Sequence, residues 1–214
     1  MIAAIVPAKA LGRAKGRLAE VLSESERREL ALAMLEDVLR ALSAVPDIGT
    51  IAVVSPDEEV LHAAAALSAM PILEPPSIGG LNQAISYATD QLSPTPSTLL
   101  IVLADVPGIT PGAITTLLDA IPELGVAACP SDDGGTSALA VRPARVVLFR
   151  FGPQSFDAHQ EAASIAGVDF RSVHIPELAL DIDSPADLRA LLEQPAETST
   201  HRLLARLGIA ARVA

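Results

Sequence analysis

Two kinds of hydrophobic pattern alternate along the chain. Short continuous apolar runs, the signature of strands buried on both faces, are separated by longer stretches in which apolar residues recur every three or four positions. Residues 2–6, 50–54, 98–104, 126–129, 138–141 and 170–174 read as strands, and residues 72–73 as a short strand stub. Ser23 and Glu26 form a capping-box pattern ahead of a helix running to about residue 43. Its apolar face carries Ala31, Met34, Leu35, Val38, Leu39 and Leu42. Further helices are predicted over 57–69, 81–92, 111–120 and 155–166, and one from Pro185 with Asp183 or Ser184 as its cap. The alternation of strands and helices predicts an α/β fold: a mostly parallel sheet with helices on both faces. Residues 1–193 read as one domain. QPAETSTH, residues 194–201, is the one good linker candidate, and the amphipathic tail after it reads as a packing or dimer helix, which makes a homodimer an expected assembly.

Composition narrows the partners. The formal net charge of −11 argues against nucleic acid. The single cysteine, Cys129, excludes an internal disulfide framework and a cysteine-based zinc site. No apolar segment approaches the ~20 residues of a membrane span, and MIAAIVPAKA reads as a first strand rather than a secretory leader, so a cytoplasmic protein is expected.

The chemistry concentrates in three places. In LALDIDSPADL, Asp181 and Asp183 stand two apart, on one side of an extended segment. Paired carboxylates raise each other's pKa unless a cation separates them, and Mg²⁺ prefers carboxylates together with substrate phosphates. Asp105 closes the buried run TLLIVLA, at the strand end where ligands of parallel sheets bind. Secondly, Lys9, Arg13, Lys15 and Arg17 follow the first strand with no acid before Glu20, a positive pocket suited to a triphosphate, although neither P-loop nor dinucleotide glycine pattern is present. Thirdly, residues 134–156 hold no acid and contain Thr136, Gly152 and Ser155. Glycines and helix N-termini of this kind accommodate anions, though helix capping alone would account for Ser155. The histidines show no metal-ligand spacing.

PAKALGRAKGRLA, LADVPGI, GGTSAL, FGPQSFDAH and LALDIDSPADL, in that order, resemble the guanylyltransferases of coenzyme F-420 biosynthesis, including 2-phospho-L-lactate and phosphoenolpyruvate guanylyltransferases. The resemblance implies a Rossmann-like nucleotidyltransferase fold and a reaction that couples the phosphate of a three-carbon acid to GMP, releasing pyrophosphate from GTP. It implies Asp105, Asp181 and Asp183 as Mg²⁺ ligands, with Lys15 beside them in catalysis. It also implies Thr136, Gly152 and Ser155 as the residues holding the phosphorylated acid, and Lys15 and Arg17 as part of the basic first loop. Phosphoenolpyruvate, 2-phospholactate and 3-phosphoglycerate are the acceptors known in the family. Gly16, Ser137 and Gln154 depart from the usual pattern, and the last two flank the acceptor pocket. Lys9, Arg13, Lys15 and Arg17 are expected on the nucleotide phosphates and Asn82 near the guanine. Competing readings are a molybdopterin or sugar-nucleotide transferase of the same fold, a haloacid-dehalogenase-like phosphatase, and a non-catalytic nucleotide-binding module in which Asp183 only caps a helix.

Overall fold

The computed structural model describes residues 1–13, 15–194 and 196–213, the side chain of Arg13 excepted. Seven strands form one sheet. In chain order they are β1 (Ile2–Pro7), β2 (Ile48–Ser55), β3 (Met70–Leu73), β4 (Thr98–Val102), β5 (Gly125–Pro130), β6 (Thr136–Arg142) and β7 (Asp169–Ser172). Their spatial order is β3-β2-β1-β4-β6-β5-β7. All neighbours run parallel except β6, which is antiparallel to both β4 and β5. The exception follows from loop length. Only the short segment 131–135 joins β5 to β6, whereas a parallel connection needs a crossover of a dozen or more residues.

The helices are α1 (Glu24–Ser43), α2 (Glu58–Ala66), α3 (Leu81–Gln91), α4 (Pro111–Ala120), α5 (Ser155–Ala166), α6 (Pro176–Ala179), α7 (Pro185–Glu193) and α8 (Ser199–Arg206). One sheet face packs Ala4, Val6, Leu100 and Val102 against Val38, Val60 and Leu117 of α1, α2 and α4. The opposite face packs Ile5, Leu99 and Ile101 against Ile85 and Ala163 of α3 and α5. This two-sided covering explains why the central strands are continuous apolar runs rather than alternating ones. The capping box of α1 is present, with Ser23 N–H on Glu26 Oε2 at 2.8 Å and Glu26 N–H on Ser23 Oγ at 3.3 Å.

Several element boundaries differ from the sequence pattern. The helix expected over 57–69 ends at Ala66, because Ser68 turns the chain through a left-handed φ of 64°. The strand expected over 170–174 ends at Ser172. Residues 180–183 are extended but not part of the sheet; one bond, Ile182 N–H to the Asp105 carbonyl at 3.0 Å, ties them to the end of β4. The tail belongs to the domain's own packing. Leu203, Leu204, Ile209 and Val213 share a third apolar cluster with Leu18, Leu30, Met34, Ile182 and Leu188.

Candidate active site

Three segments meet at the carboxyl end of the parallel strands. The loop after β1 supplies Lys15, the loop after β4 supplies Asp105, and the extended segment before α7 supplies Asp181 and Asp183. Ile182 is fully buried between the two aspartates, so the alternation of an extended chain turns both carboxylates away from the apolar cluster. Helix α7 does not use Asp183 as its cap. Ser184 takes that role, accepting from Asp187 N–H, while Asp187 Oδ2 accepts from Ser184 N–H at 2.6 Å and Asp183 N–H at 2.9 Å. The Asp183 side chain is thereby released for chemistry, which removes the capping-only explanation.

Lys15 joins the segments. Its Nζ donates to Asp105 Oδ2 at 2.7 Å and to Asp183 Oδ1 at 2.8 Å. The backbone of Lys15 is left-handed, with φ 55°, a conformation rare for a residue with a Cβ and common where function fixes the chain. Burial works against the ammonium's charge, but the two carboxylates outweigh it and hold the Lys15 pKa above its ordinary value. Burial likewise opposes ionisation of Asp183, yet Lys15, with Lys9 and Arg17 further off, keeps that carboxyl below the usual range. Among the described residues, no such cation offsets the burial of Asp181. Burial, then the negative charges of Asp105 and Asp133, push its pKa up to about 6.

The three aspartates do not form a closed ligand set. Among the described residues, no three His, Cys, Asp or Glu side chains converge into a ready-made metal cluster, because the Lys15 ammonium takes the bridging place between Asp105 and Asp183. The donors nonetheless suit a hard divalent cation. Asp105 Oδ1 is buried without a hydrogen-bond partner among the described residues, and Asp181 is a half-buried carboxylate made costly by its neighbours. Lys9 and Arg17 are exposed at the rim. Arg13's side chain lies outside the described residues.

A second polar group is built around the start of β6. Because β6 runs antiparallel to β4, Thr136 lies at the same sheet end as Asp105. Ser155 is not the N-cap of α5. Gln154 holds that position with φ 54°, and Ser155, the first helical residue, donates its hydroxyl to Thr136 Oγ1 at 3.1 Å. His159, one turn along α5, places Nδ1 3.0 Å from Thr136 Oγ1 and accepts Arg150 N–H on Nε2 at 3.0 Å. Burial pushes the imidazole pKa down to about 4, so the ring is neutral near pH 7. Gly152 has φ 138°, a region closed to residues with a Cβ, and the space where a Cβ would stand is open.

Asn82 is anchored to the loop before α5. Its Nδ2 donates to the Phe151 carbonyl at 2.9 Å and its Oδ1 accepts Phe151 N–H at 2.7 Å. Each end of the amide makes one bond to the same residue of that loop, and one N–H and one Oδ1 lone pair remain beyond these bonds. Sequence reading also missed His159, whose signal was its spacing: position 159 lies one helical turn beyond Ser155, on the same face.

A family model described as "Guanylyl transferase CofC like" matches residues 2–214. The chain is 44% identical over 190 residues to a phosphoenolpyruvate guanylyltransferase of Sphaerobacter thermophilus, covering 88% of this chain and 91% of that one. It is 34% identical over 204 residues to a 2-phospho-L-lactate guanylyltransferase of Methanothermobacter thermautotrophicus, covering 95% and 90%. Among solved structures, a putative nucleotide-diphospho-sugar transferase of Desulfovibrio desulfuricans aligns with a TM-score of 0.78 at 16% identity, over 99% of this chain and 96% of that one. A nucleotidyl transferase of Methanothermobacter aligns at 0.69 and 17%, over 89% and 95%. At such identities the structural likeness speaks to the fold.

Proposed function

We propose that this chain, which belongs to the CofC-like guanylyl transferase family, joins GMP from GTP to phosphoenolpyruvate in coenzyme F-420 biosynthesis. The choice of acid rests on the name of the 44% identical relative; 2-phospholactate is the acceptor named for the relative at 34%. The observation that carries the reading is the bridge from Lys15 to Asp105 and Asp183, which sets a cation and two carboxylates where parallel sheets bind nucleotides.

A phosphate oxygen of the acceptor attacks the α-phosphorus of GTP, the bond from that phosphorus to the bridging oxygen breaks, and pyrophosphate leaves with the electron pair. The acceptor phosphate is already ionised near pH 7, so no side chain needs to take a proton. What remains for the protein is positioning and charge neutralisation. Asp105, Asp181 and Asp183 would hold Mg²⁺, which supplies positive charge to the triphosphate when bound. Lys15 holds Asp105 and Asp183 in place and keeps Asp183 ionised. Lys9 and Arg17, exposed at the rim, offer charge to the departing pyrophosphate. Thr136, Gly152 and Ser155 form the acceptor side.

Incubation of the protein with GTP, Mg²⁺ and each of phosphoenolpyruvate, 2-phospholactate and 3-phosphoglycerate, read by mass spectrometry, tests the assignment. The guanylylated phosphoenolpyruvate with one equivalent of pyrophosphate is expected. Pyrophosphate release without an acceptor, or only free phosphate from any mixture, would exclude the transferase reading.

A further inference from the structure

The group around Thr136 carries a restriction on where protons can sit. Nε2 of His159 accepts the Arg150 backbone N–H, so that nitrogen bears no hydrogen. A neutral imidazole has one N–H, which must then be on Nδ1. Nδ1 faces Thr136 Oγ1 at 3.0 Å, and the carbonyl of Ser155, which can only accept, also lies beside the ring. The ring therefore cannot accept from Thr136, and its one N–H is shared between Thr136 Oγ1 and the Ser155 carbonyl. Ser155 Oγ also donates to Thr136 Oγ1. With both of its lone-pair directions engaged, the Thr136 hydroxyl keeps one hydrogen, and no described side chain or carbonyl accepts it. Ser155 and His159 are buried beneath it, and Thr136 itself keeps 2% of its surface exposed.

We propose that His159 is a positioning residue of the acceptor site: it turns the Thr136 hydroxyl into an obligate donor to an anionic group of the substrate and fixes the peptide strip 150–152 beside it. An anion is the matching ligand because carboxylate and phosphate oxygens only accept. Asn82 on α3 clamps the same strip from the other side, through both bonds to Phe151. The strip leads directly to Gly152, whose open side gives a ligand access to the backbone. Phe151 also meets the His159 ring edge-on, with centroids 4.8 Å apart, so aromatic contact and hydrogen bonds hold the ring in one orientation. The inference rests on the proposed function, since it takes the acceptor to be a phosphorylated acid.

The test is steady-state kinetics on His159→Phe, His159→Asn and Asn82→Ala beside the wild type. His159→Phe keeps the aromatic packing and removes both nitrogens. It is expected to raise the KM for phosphoenolpyruvate about tenfold or more, the worth of a hydrogen bond to a charged group, and to leave the KM for GTP unchanged. His159→Asn returns a donor near the Nδ1 position and is expected to recover part of the loss. Asn82→Ala is expected to show the same one-sided change. Equal movement of both KM values, or a fall in thermal stability alone, overturns the proposal. Nitrogen NMR of the wild-type ring is independent of the variants' folding: a protonated Nδ1 and a bare Nε2 at neutral pH support the assignment, and the reverse overturns it. A wild type that makes no product with any acid overturns the proposed function and this role together. An active wild type with indifferent variants overturns this role alone.

Discussion

Among the described residues, Lys15 ties the first loop by ion pairs to the acidic segment at the far end of the chain, and the consequences of removing it can be ordered by charge. Lys15→Met keeps most of the volume but leaves Asp105 and Asp183 facing each other without a cation. Asp183 is half exposed, so the penalty is smaller than for a fully buried pair; a loss of about 1–3 kcal/mol of stability in metal-free protein is expected. Mg²⁺ should restore stability to this variant more than it raises that of the wild type, as read by thermal unfolding with and without the metal. No Mg²⁺ effect on either protein would count against the aspartates as a metal site. Asp105→Asn is expected to lower turnover by about a hundredfold while the fold persists, a loss measurable by pyrophosphate release. On the acceptor side, Thr136→Val removes the free donor and should cost about 1.5–3 kcal/mol of acceptor binding. Ser155→Ala should cost less, because the Ser155 hydroxyl is already spent on Thr136; acceptor KM values for the two variants decide the order. The charged members of this site were legible in the sequence, since Lys15, Asp105, Asp181 and Asp183 announce themselves by spacing and by local charge. The roles of Asn82 and His159 were not, because an amide or imidazole has the same chemistry whether it faces a ligand or a peptide. Only the fold decides which.

At the scale of elements, the strong signals were those in which one physical cause dominates. The buried strands and α1 follow from periodicity and a capping box, and both stand where the pattern put them. The reversal of β6 follows from loop length, which propensity does not encode. The extended segment 180–183 shows the other limit: its alternation is real, but a single bond to the Asp105 carbonyl replaces a sheet ladder. The tail was ambiguous because an amphipathic helix can bury its apolar face against its own chain or another. Asp37 shows how it is held here. Its carboxylate, on the buried side of α1, accepts Ser199 N–H at 2.7 Å and Thr200 N–H at 2.9 Å, capping α8 from outside the helix. Thr198 adds a local cap through His201 N–H at 3.2 Å. Asp37→Ala should therefore cost about 2 kcal/mol, a buried cap with charge-assisted bonds. Urea unfolding should show a lower midpoint, and an unchanged midpoint would mean that apolar packing alone secures α8.

For the molecule as a whole, the buried His159 and the half-buried Asp181 give stability opposite responses to pH. His159 ionises near 6.5 in the unfolded chain but only near about 4 when folded, because burial disfavours its charge. Between those values the unfolded state binds more protons, so stability rises with pH. The contribution is complete above 6.5 and is lost as pH falls toward 4, a span worth about 3 kcal/mol. Asp181 runs the other way. Its folded pKa of about 6 lies above the ordinary 3.8, so the folded state binds more protons between them. Its contribution is present below 3.8 and is lost as pH rises through 6. The two slopes oppose each other over most of the same interval, and the metal-free wild type should show a shallower dependence than either group alone would give. Separating them requires one variant for each. Asp181→Asn removes the falling component, so its stability should climb with pH more steeply than that of the wild type. His159→Phe removes the rising one, so its stability should fall relative to the wild type as pH increases from about 4 to 6.5. Urea unfolding across that interval, without divalent metal, reads both slopes. Curves parallel to the wild type in both variants would show that neither group changes its pKa on folding, and an Asp181→Asn slope shallower than the wild type would reverse the sign assigned to that carboxylate.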